Sequence, residues 1–431
     1  MLEITGEILI PAAKFAEIKK TISSILEFKK ALDKSLPEKI SQLMEIILGG
    51  SLILNASDIH LEPGEEKTKI RLRIDGILQD ITTIDKQTYE ALLSRIKLLS
   101  GLKLNISDRP QDGRFSVNID ALAIEIRTST LPAERGETAV LRILNPKNII
   151  SMEALGLRKD LLAMFEKEIK KPNGMIIVTG PTGSGKTTTL YAFLKKVQNP
   201  GIKIITIEDP IEYHLESISQ TQVQPKKGYD FANGLKSIVR QDPDVILVGE
   251  IRDLETANTA LQAALTGHLV FSTLHTNDAA GTIARLTNLG ANPLDVGPAV
   301  NLVVAQRLVR QICQKCGKLV SPTKLELKKI KNALKGLPEN IKAPKIGSNL
   351  KIAQAGGCKY CNFTGYQGRV GIFEGFLIDD EAERFIIKKP SIADLKYFAV
   401  KHGMVTMEQD AFIKVVEGIT TISEVERVMG E

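Results

Sequence analysis

Tryptophan is absent from this chain, and phenylalanine, tyrosine and tryptophan together make up 5% of it. Proteins that track single-stranded nucleic acid stack bases on aromatic side chains, and this composition offers few such platforms. A net charge of +6 and an isoelectric point near 8.9 permit contact with acidic surfaces or lipid headgroups without arguing for nucleic acid. No apolar run approaches the ~18 residues that a membrane-spanning helix needs. The N-terminus carries Glu3 and Glu7 in place of the basic-then-apolar order of a secretory signal, so a cytoplasmic location is expected. Cysteine is scarce too: four residues form two C-x-x-C pairs, Cys313 with Cys316 and Cys358 with Cys361. Without an export signal, that spacing points to metal before disulfide. Internal repeats and low-complexity tracts are also missing.

What is there suffices for several cores. At 431 residues and 43% apolar, the chain should hold about three domains of ~150 residues. Residues 1–50 read as a helical extension. Phe15, Ile18, Ile22, Ile25 and Leu26 stand at helical spacing, which predicts one amphipathic helix packed on the next domain. A second helix is expected over Glu38–Leu48, with Pro37 at its first turn and Gly49-Gly50 after it. Residues 51–148 read as a small α+β domain. Ile70 to Ile74 alternates strictly, Asp75-Gly76 makes a hairpin turn, Tyr89 to Leu99 is helical, and strands return at 113–117, 123–127 and 137–144. Residues 149–312 alternate strands (Met175–Thr179, Ile202–Ile207, Val245–Val248, Leu269–Leu274) with helices. That order predicts an α/β domain with a parallel sheet and ligands at the carboxyl ends of its strands. Residues 313–362 hold the cysteines, and 363–431 read as helical, with Ile386, Leu395, Phe398, Phe412, Val415 and Val416 in its core.

One stretch organises the rest: Gly180-Pro181-Thr182-Gly183-Ser184-Gly185-Lys186-Thr187, between a buried strand and a helix that Thr188 continues. Strand, glycine-rich turn and helix form the context in which this spacing makes a phosphate site. The glycines let consecutive N–H groups turn inward, and the helix adds its positive end. Lys186 would reach the β- and γ-phosphates of a nucleoside triphosphate, and the Thr187 hydroxyl would ligate Mg²⁺. Glu208, Asp209 and Glu212 follow a second strand, where carboxylates can orient and activate an attacking water. A third strand ends in Glu250, where such sites commonly place an aspartate for Mg²⁺; this longer side chain could serve the metal through a water or act as the base. His268 and His275 flank a fourth strand. His275, at its carboxyl end, is the one placed to sense phosphate, and His268 reads equally as a satisfied core residue. The four cysteines suit a closed tetrahedral Zn²⁺ site with no open coordination position. The 41 residues between the pairs exceed the usual ~15–20, so a helix near Thr323–Leu334 must loop out and return.

Together these residues resemble the secretion ATPase superfamily, in particular the type II secretion E proteins and the type IV pilus assembly B proteins. The resemblance runs from about Ser57 to the C-terminus. It rests on Ser57-Asp58-Ile59-His60-Leu61-Glu62-Pro63, Arg73-Ile74-Asp75-Gly76, Arg109-Pro110-Gln111-Asp112-Gly113-Arg114, Ser129-Thr130-Leu131-Pro132, the phosphate loop, Glu208 to Tyr213, Gly249 to Asp253 and the histidine segment. The cysteine pairs favour assembly over retraction ATPases. The resemblance implies a RecA-like ATPase domain after a PAS-like N-terminal domain, a zinc-binding insert and C-terminal helices. It implies ATP, Mg²⁺ and Zn²⁺ as cofactors, a cytoplasmic homo-hexamer, and peripheral association with the inner membrane through a platform protein and docking proteins. Arg114 and Arg127 would serve the nucleotide of a neighbouring subunit. Larger members of the family carry a further N-terminal docking domain; about fifty residues precede Ser57 here.

Two other readings compete. A RecA-like nucleic-acid translocase would share the sheet and phosphate loop but needs a basic groove and stacking aromatics. A nucleotide-binding scaffold without turnover would not need Lys186, Glu212 and Glu250 together. Stimulation by DNA would favour the first, and absence of steady-state phosphate release the second.

Overall fold

The computed structural model describes residues 6–36, 39–120, 122–338, 341, 346–347 and 349–430. They group into two compact units. The first comprises residues 1–146 with two later segments, Cys313–Gly317 and Ala355–Gln367. The second holds Lys147–Ile312, Lys318–Gln354 and Gly368–Glu431. Five segments read along the sequence thus fold into two bodies, and the cysteine pairs join the N-terminal one.

In the first unit a short strand, β1 (Glu7–Leu9), precedes helices α1 (Ala12–Thr21), α2 (Ile25–Ser35) and α3 (Ile40–Ile53). The single amphipathic helix expected before residue 36 is therefore a strand and two helices. Ser24 causes the break: it stands in extended backbone and its side chain accepts from the Glu27 N–H, capping a new helix. The expected start at Pro37 and Glu38 lies outside the described residues. Helix α3 also continues through Gly49-Gly50. There the glycines serve packing, since a Cβ on Gly50 would lie 2.4 Å from the Phe28 ring.

The sheet follows: β2 (Asp58–Pro63), β3 (Lys67–Ile74), β4 (Ile77–Asp85), helix α4 (Lys86–Leu99), β5 (Gln111–Ile119), β6 (Leu122–Ala133) and β7 (Gly136–Leu144). Its order is β1-β5-β6-β7-β2-β3-β4, antiparallel except that β1 runs parallel to β5. The alternation in β3 buries Ile70, Leu72 and Ile74 and leaves the charged residues between them less covered. Asp75 and Gly76 both take positive φ (49° and 82°), as a two-residue hairpin requires.

The second unit opens with α5 (Lys159–Glu168), then β8 (Gly174–Thr179), α6 (Lys186–Val197), β9 (Ile204–Glu208), β10 (Ser219–Gln222), α7 (Phe231–Val239), β11 (Val245–Val248), α8 (Leu254–Leu265), β12 (Leu269–Leu274), α9 (Ala279–Asn288), α10 (Pro293–Ala299) and β13 (Val300–Ile312). The antiparallel strands β14 (Lys318–Val320) and β15 (Ile352–Gln354), with α11 (Lys324–Ala333) between them, are followed by β16 (Tyr366–Leu377) and four helices: α12 (Asp380–Ile387), α13 (Ile392–Lys401), α14 (Met407–Val416) and α15 (Ile422–Met429). The stretch 363–431, expected to be helical, thus opens with a strand, because the buried run Val370–Phe376 joins the large sheet. The large sheet runs β10-β9-β11-β12-β8-β13-β16, and β10 through β13 pair in parallel. Both faces are covered. In β8, Met175 and Ile177 enter one core while Ile176 and Val178 enter the other, all four fully buried. A parallel strand buried on both faces reads as an unbroken apolar run, which is why β8, β11 and β12 stand out in the sequence.

Candidate functional site

The phosphate loop leaves the carboxyl end of β8, an interior strand of the large sheet between β12 and β13. Gly180 takes φ +148°, Gly183 +79° and Gly185 +90°, backbone that side chains disfavour. Nothing lies within 4 Å of where a Cβ on Gly183 would stand. Gly185 is the N-cap of α6, whose first turn carries neither a side-chain cap nor an acid. Its N–H groups and positive end are thus available to an anion. The Ser184 hydroxyl is buried without a hydrogen-bond partner among the described residues. Spare donors and an open cradle fit a polyphosphate. Lys186 Nζ rests on the carbonyls of Gly180 (2.8 Å) and Pro181 (3.3 Å). Burial lowers its pKa, opposed by Glu250, so the ammonium sits where a nearby negative charge is favourable. Thr187 and Thr188 occupy the first turn of α6, half-buried.

Neighbouring strands bring the acids. β11 pairs with β9 on one side and β12 on the other, so their carboxyl ends lie in a row. Glu250, just beyond β11, pairs with Arg252 and stands 3.3 Å from His275 Nε2. Arg252 also reaches Asp209, at 3.9 Å. Thr276 holds the end of β12 to β8: its N–H and hydroxyl meet Thr179 Oγ1 at 2.9 and 2.7 Å. Lys186, Glu250, Arg252 and His275 are thereby drawn together. His268 is elsewhere, with Nδ1 3.0 Å from the Ala263 carbonyl, the satisfied residue that one of its two readings expected.

Glu208 does not join the other acids as a water-orienting group. It is 3% exposed and accepts from Thr206 Oγ1 (2.6 Å), Tyr191 (2.5 Å) and Gln220 (3.2 Å). Burial pushes its pKa up against those donors. Gln220 also fastens the following segment, donating to the Tyr213 carbonyl (3.0 Å) and accepting from Leu215 N–H (2.7 Å). Glu212 lies in that segment, half-buried. Arg252 belongs to the Gly249–Asp253 motif, and its pairing with Glu250 and Asp209 is what the structure adds. Gln306 lies outside every motif: it follows the apolar run Leu302–Ala305 of β13, a strand that also carries Asn301, Arg307, Arg310 and Gln311, so no local pattern singles it out.

The first unit carries the remaining residues. Arg114 and Arg127 face each other across β5 and β6, each 3.4 Å from Glu125 Oε1. Cys313, Cys316, Cys358 and Cys361 place their sulfurs within 4.8 Å of one another, with pairs at 3.9, 3.7 and 3.7 Å. A tetrahedral zinc with Zn–S bonds of ~2.3 Å sets its sulfurs ~3.8 Å apart, so the four cysteines fit that ion and close its shell. Burial opposes charge on Cys361, yet N–H groups of Cys358 and Gly365 donate to its sulfur and the thiol falls to about 7. The next residue, Asn362, accepts from the Ile25 N–H at 2.7 Å, tying the cysteine loop to α2.

A parallel sheet with a phosphate loop after an interior strand and an acid closing the strand two positions away defines a P-loop ATPase. The comparisons agree. Residues 33–427 match the family model described as "Type II/IV secretion system protein". The type IV pilus assembly ATPase PilB of Thermus thermophilus is 41% identical over 395 residues, 91% of this chain and 43% of that protein. The type II secretion system protein E of Dickeya dadantii is 43% identical over 395 residues, 91% of this chain and 76% of that protein. The chain thus spans less than half of the Thermus relative. Among solved structures, the pilus retraction motor PilT with bound ADP aligns with a TM-score of 0.58 and 28% identity, over 89% of this chain and 96% of that one. The ATPase DotB of Legionella pneumophila, at 23% identity and TM-score 0.63 over 90% and 95%, shares the fold. The chain belongs to the type II/IV secretion system protein family, and it is an ATPase of the secretion and pilus assembly kind. No described helix is long and apolar enough to cross a membrane.

Proposed function

We propose that this chain is a homo-hexameric motor whose ATP hydrolysis drives assembly of a pilus or pseudopilus, docked at the inner membrane through a platform protein and docking proteins. The observation that supports the motor reading is the meeting of Lys186, Glu250 and His275 at the strand ends beside an open phosphate loop. In this reading the loop from Gly180 to Thr188 cradles ATP, and Lys186 neutralises its β- and γ-phosphates. Thr187 and Glu250 hold Mg²⁺, which when bound offsets charge developing on the phosphate oxygens. Glu212 orients the attacking water, and His275 reads the γ-phosphate through its contact with Glu250. The cysteines hold a structural Zn²⁺.

Arg114 and Arg127 act on a neighbouring subunit's nucleotide. A guanidinium at the γ-phosphate is worth ~10³–10⁵ in rate, and a lysine lacks its planar fork. The test mixes Arg127→Ala subunits with Glu212→Gln subunits, each inactive alone in a phosphate-release assay. In confirmed mixed hexamers activity returns, because some interfaces pair an intact arginine with an intact glutamate. No recovery rejects the shared site, and wild-type turnover in Glu212→Gln alone moves the base to Glu250.

A further inference from the structure

We infer that Gln306 is the residue that positions the phosphate loop for its anion, by holding the Ser184–Gly185 peptide with its N–H turned toward the phosphates. The inference rests on reading this loop as the phosphate site.

The register of the sheet puts Gln306 there. Ala305 on β13 pairs with Thr179, the last residue of β8, so the next residue of β13 stands beside Gly180, where the loop begins. The approach is close enough that a Cβ on Gly180 would lie 2.4 Å from the Gln306 carbonyl oxygen. Gln306 is 1% exposed, directly after the fully buried run Leu302–Ala305, whereas the other polar residues of β13 (Asn301, Arg307, Arg310 and Gln311) are only partly buried. A buried amide must satisfy both of its ends. Both find partners in the loop and the helix it opens: Nε2 donates to the Ser184 carbonyl at 2.6 Å, and Oε1 accepts from the Thr189 hydroxyl at 2.7 Å.

Chemistry fixes which end points where. Turned over, the amide would set its oxygen against the Ser184 carbonyl, two acceptors face to face, and its NH₂ against the hydroxyl. The Ser184 carbonyl, which can only accept, therefore sets the orientation of the amide, and Thr189 holds its other end by donating to Oε1. The consequence for the loop follows from peptide geometry. In a trans peptide the C=O and the following N–H point in opposite directions. A Ser184 carbonyl drawn toward β13 leaves the Gly185 N–H directed away from β13, at the mouth of α6 where phosphate binds. Gly185, with φ +90°, is the position free to turn the other way, so the peptide needs an external anchor. The anchor is itself held, because Arg310 further along β13 pairs with Glu424 at 2.6 Å.

The test separates donation from packing. Gln306→Leu keeps the bulk and removes both hydrogen bonds; Gln306→Glu keeps the shape and the acceptor for Thr189 but faces Ser184 with a carboxylate. ADP affinity, measured well below the melting temperature, should fall about tenfold in Gln306→Leu, the worth of one buried hydrogen bond to a loaded site. It should fall further in Gln306→Glu. A purely structural glutamine would lower melting without nucleotide and leave the ADP affinity of the folded protein unchanged, which would overturn the inference.

A spectroscopic readout accompanies the affinities. The sequence has two Ser–Gly pairs, at 100–101 and 184–185, so ¹³C-carbonyl serine with ¹⁵N-glycine labelling isolates the Gly185 amide among two signals. ADP should move it downfield in the wild type and fail to do so in Gln306→Leu. If it does not respond even in the wild type, the phosphate-loop reading fails. If it responds equally in both, only the role of Gln306 falls. Should Gln306→Leu not fold, Thr189→Val decides: the amide loses the hydroxyl that anchors its oxygen, its hold on the Ser184 carbonyl loosens, and ADP should bind about threefold to fivefold more weakly. Unchanged affinity in that variant rejects the inference.

Discussion

The phosphate loop of the second unit and the cysteine loop of the first are both short, both marked by the spacing of one residue type, and both shaped around charge the polypeptide does not supply. They differ in what is left over. Pro181, Thr182 and Gly183 are exposed, the Ser184 hydroxyl has no partner among the described residues, and Lys186 rests on carbonyls it can release. The cysteine loop has nothing in reserve: four sulfurs converge, and Cys313 and Cys361 are buried to 0% and 3% exposure. A ligand that must enter, react and leave needs spare donors and an approach, whereas a permanent ion needs a saturated shell.

The comparison breaks first if the two sites cannot be damaged separately. Lys186→Ala should lower ATP turnover by more than about three orders of magnitude, since an ammonium facing the phosphates contributes at both binding and transition state. Zinc content measured by mass spectrometry should stay at one per chain. Loss of zinc with turnover would mean that the loops are not independent.

A second, smaller effect contrasts two acids at adjacent strand ends. Glu250→Gln should reduce turnover about 10²–10⁴-fold with melting little changed, as expected for a group that acts on metal or proton. Glu208→Gln should keep turnover within about tenfold and lower the melting temperature, because its three donors are structural. Reversed results in the same two assays would exchange the roles of the two strands.

Third, Cys313→Ser should remove the zinc and destabilise the first unit by on the order of 3 kcal/mol, because a metal site that joins distant segments contributes folding free energy. Nucleotide affinity should survive. A folded wild-type protein that contains no metal would refute the closed-site reading.

Legibility in the sequence followed the same physics. Strands β8, β11 and β12 are buried on both faces and show as unbroken apolar runs, and β3 has one face toward a core and shows as alternation. The edge strand β10, Ser-Gln-Thr-Gln, has no such pattern because little of it is buried. The break between α1 and α2 hides in a continuous helical period, where only the Ser24 cap divides it. Gly49-Gly50 reads as a stop because glycine weakens helices, yet here it admits the Phe28 ring. In the site, Lys186 and Glu250 carry fixed spacings. Gln306 and Arg252 owe their places to neighbouring strands and turns that no local window contains.

The smallest predicted effect uses a third carboxylate, outside both loops, to sharpen the contrast between buried acids. Glu424, on α15, is 1% exposed, like Glu208, but its partners are cations. Arg310 donates through its backbone N–H (2.9 Å) and guanidinium (2.6 Å), and Arg427 makes two bonds of 2.7 Å. Burial works to raise its pKa, and the two arginines outweigh it, holding the carboxyl at about 2 against an ordinary 4.5. A folded-state pKa below the unfolded one means that the unfolded chain takes up the proton first. The stabilisation is therefore complete above about pH 5 and drains away as pH falls from there toward 2. Its size at neutral pH is on the order of 2–3 kcal/mol. Glu208 has the opposite sign: its raised pKa makes ionisation a cost, so its contribution worsens as pH rises through the folded value. Chemical denaturation of wild type and Glu424→Gln across pH 3 to 8 should give curves about 2 kcal/mol apart at pH 7 that converge toward pH 3. The gap between wild type and Glu208→Gln should widen in the glutamate's favour as pH falls. A Glu424→Gln gap independent of pH would show that packing, not the arginine pairs, accounts for its effect.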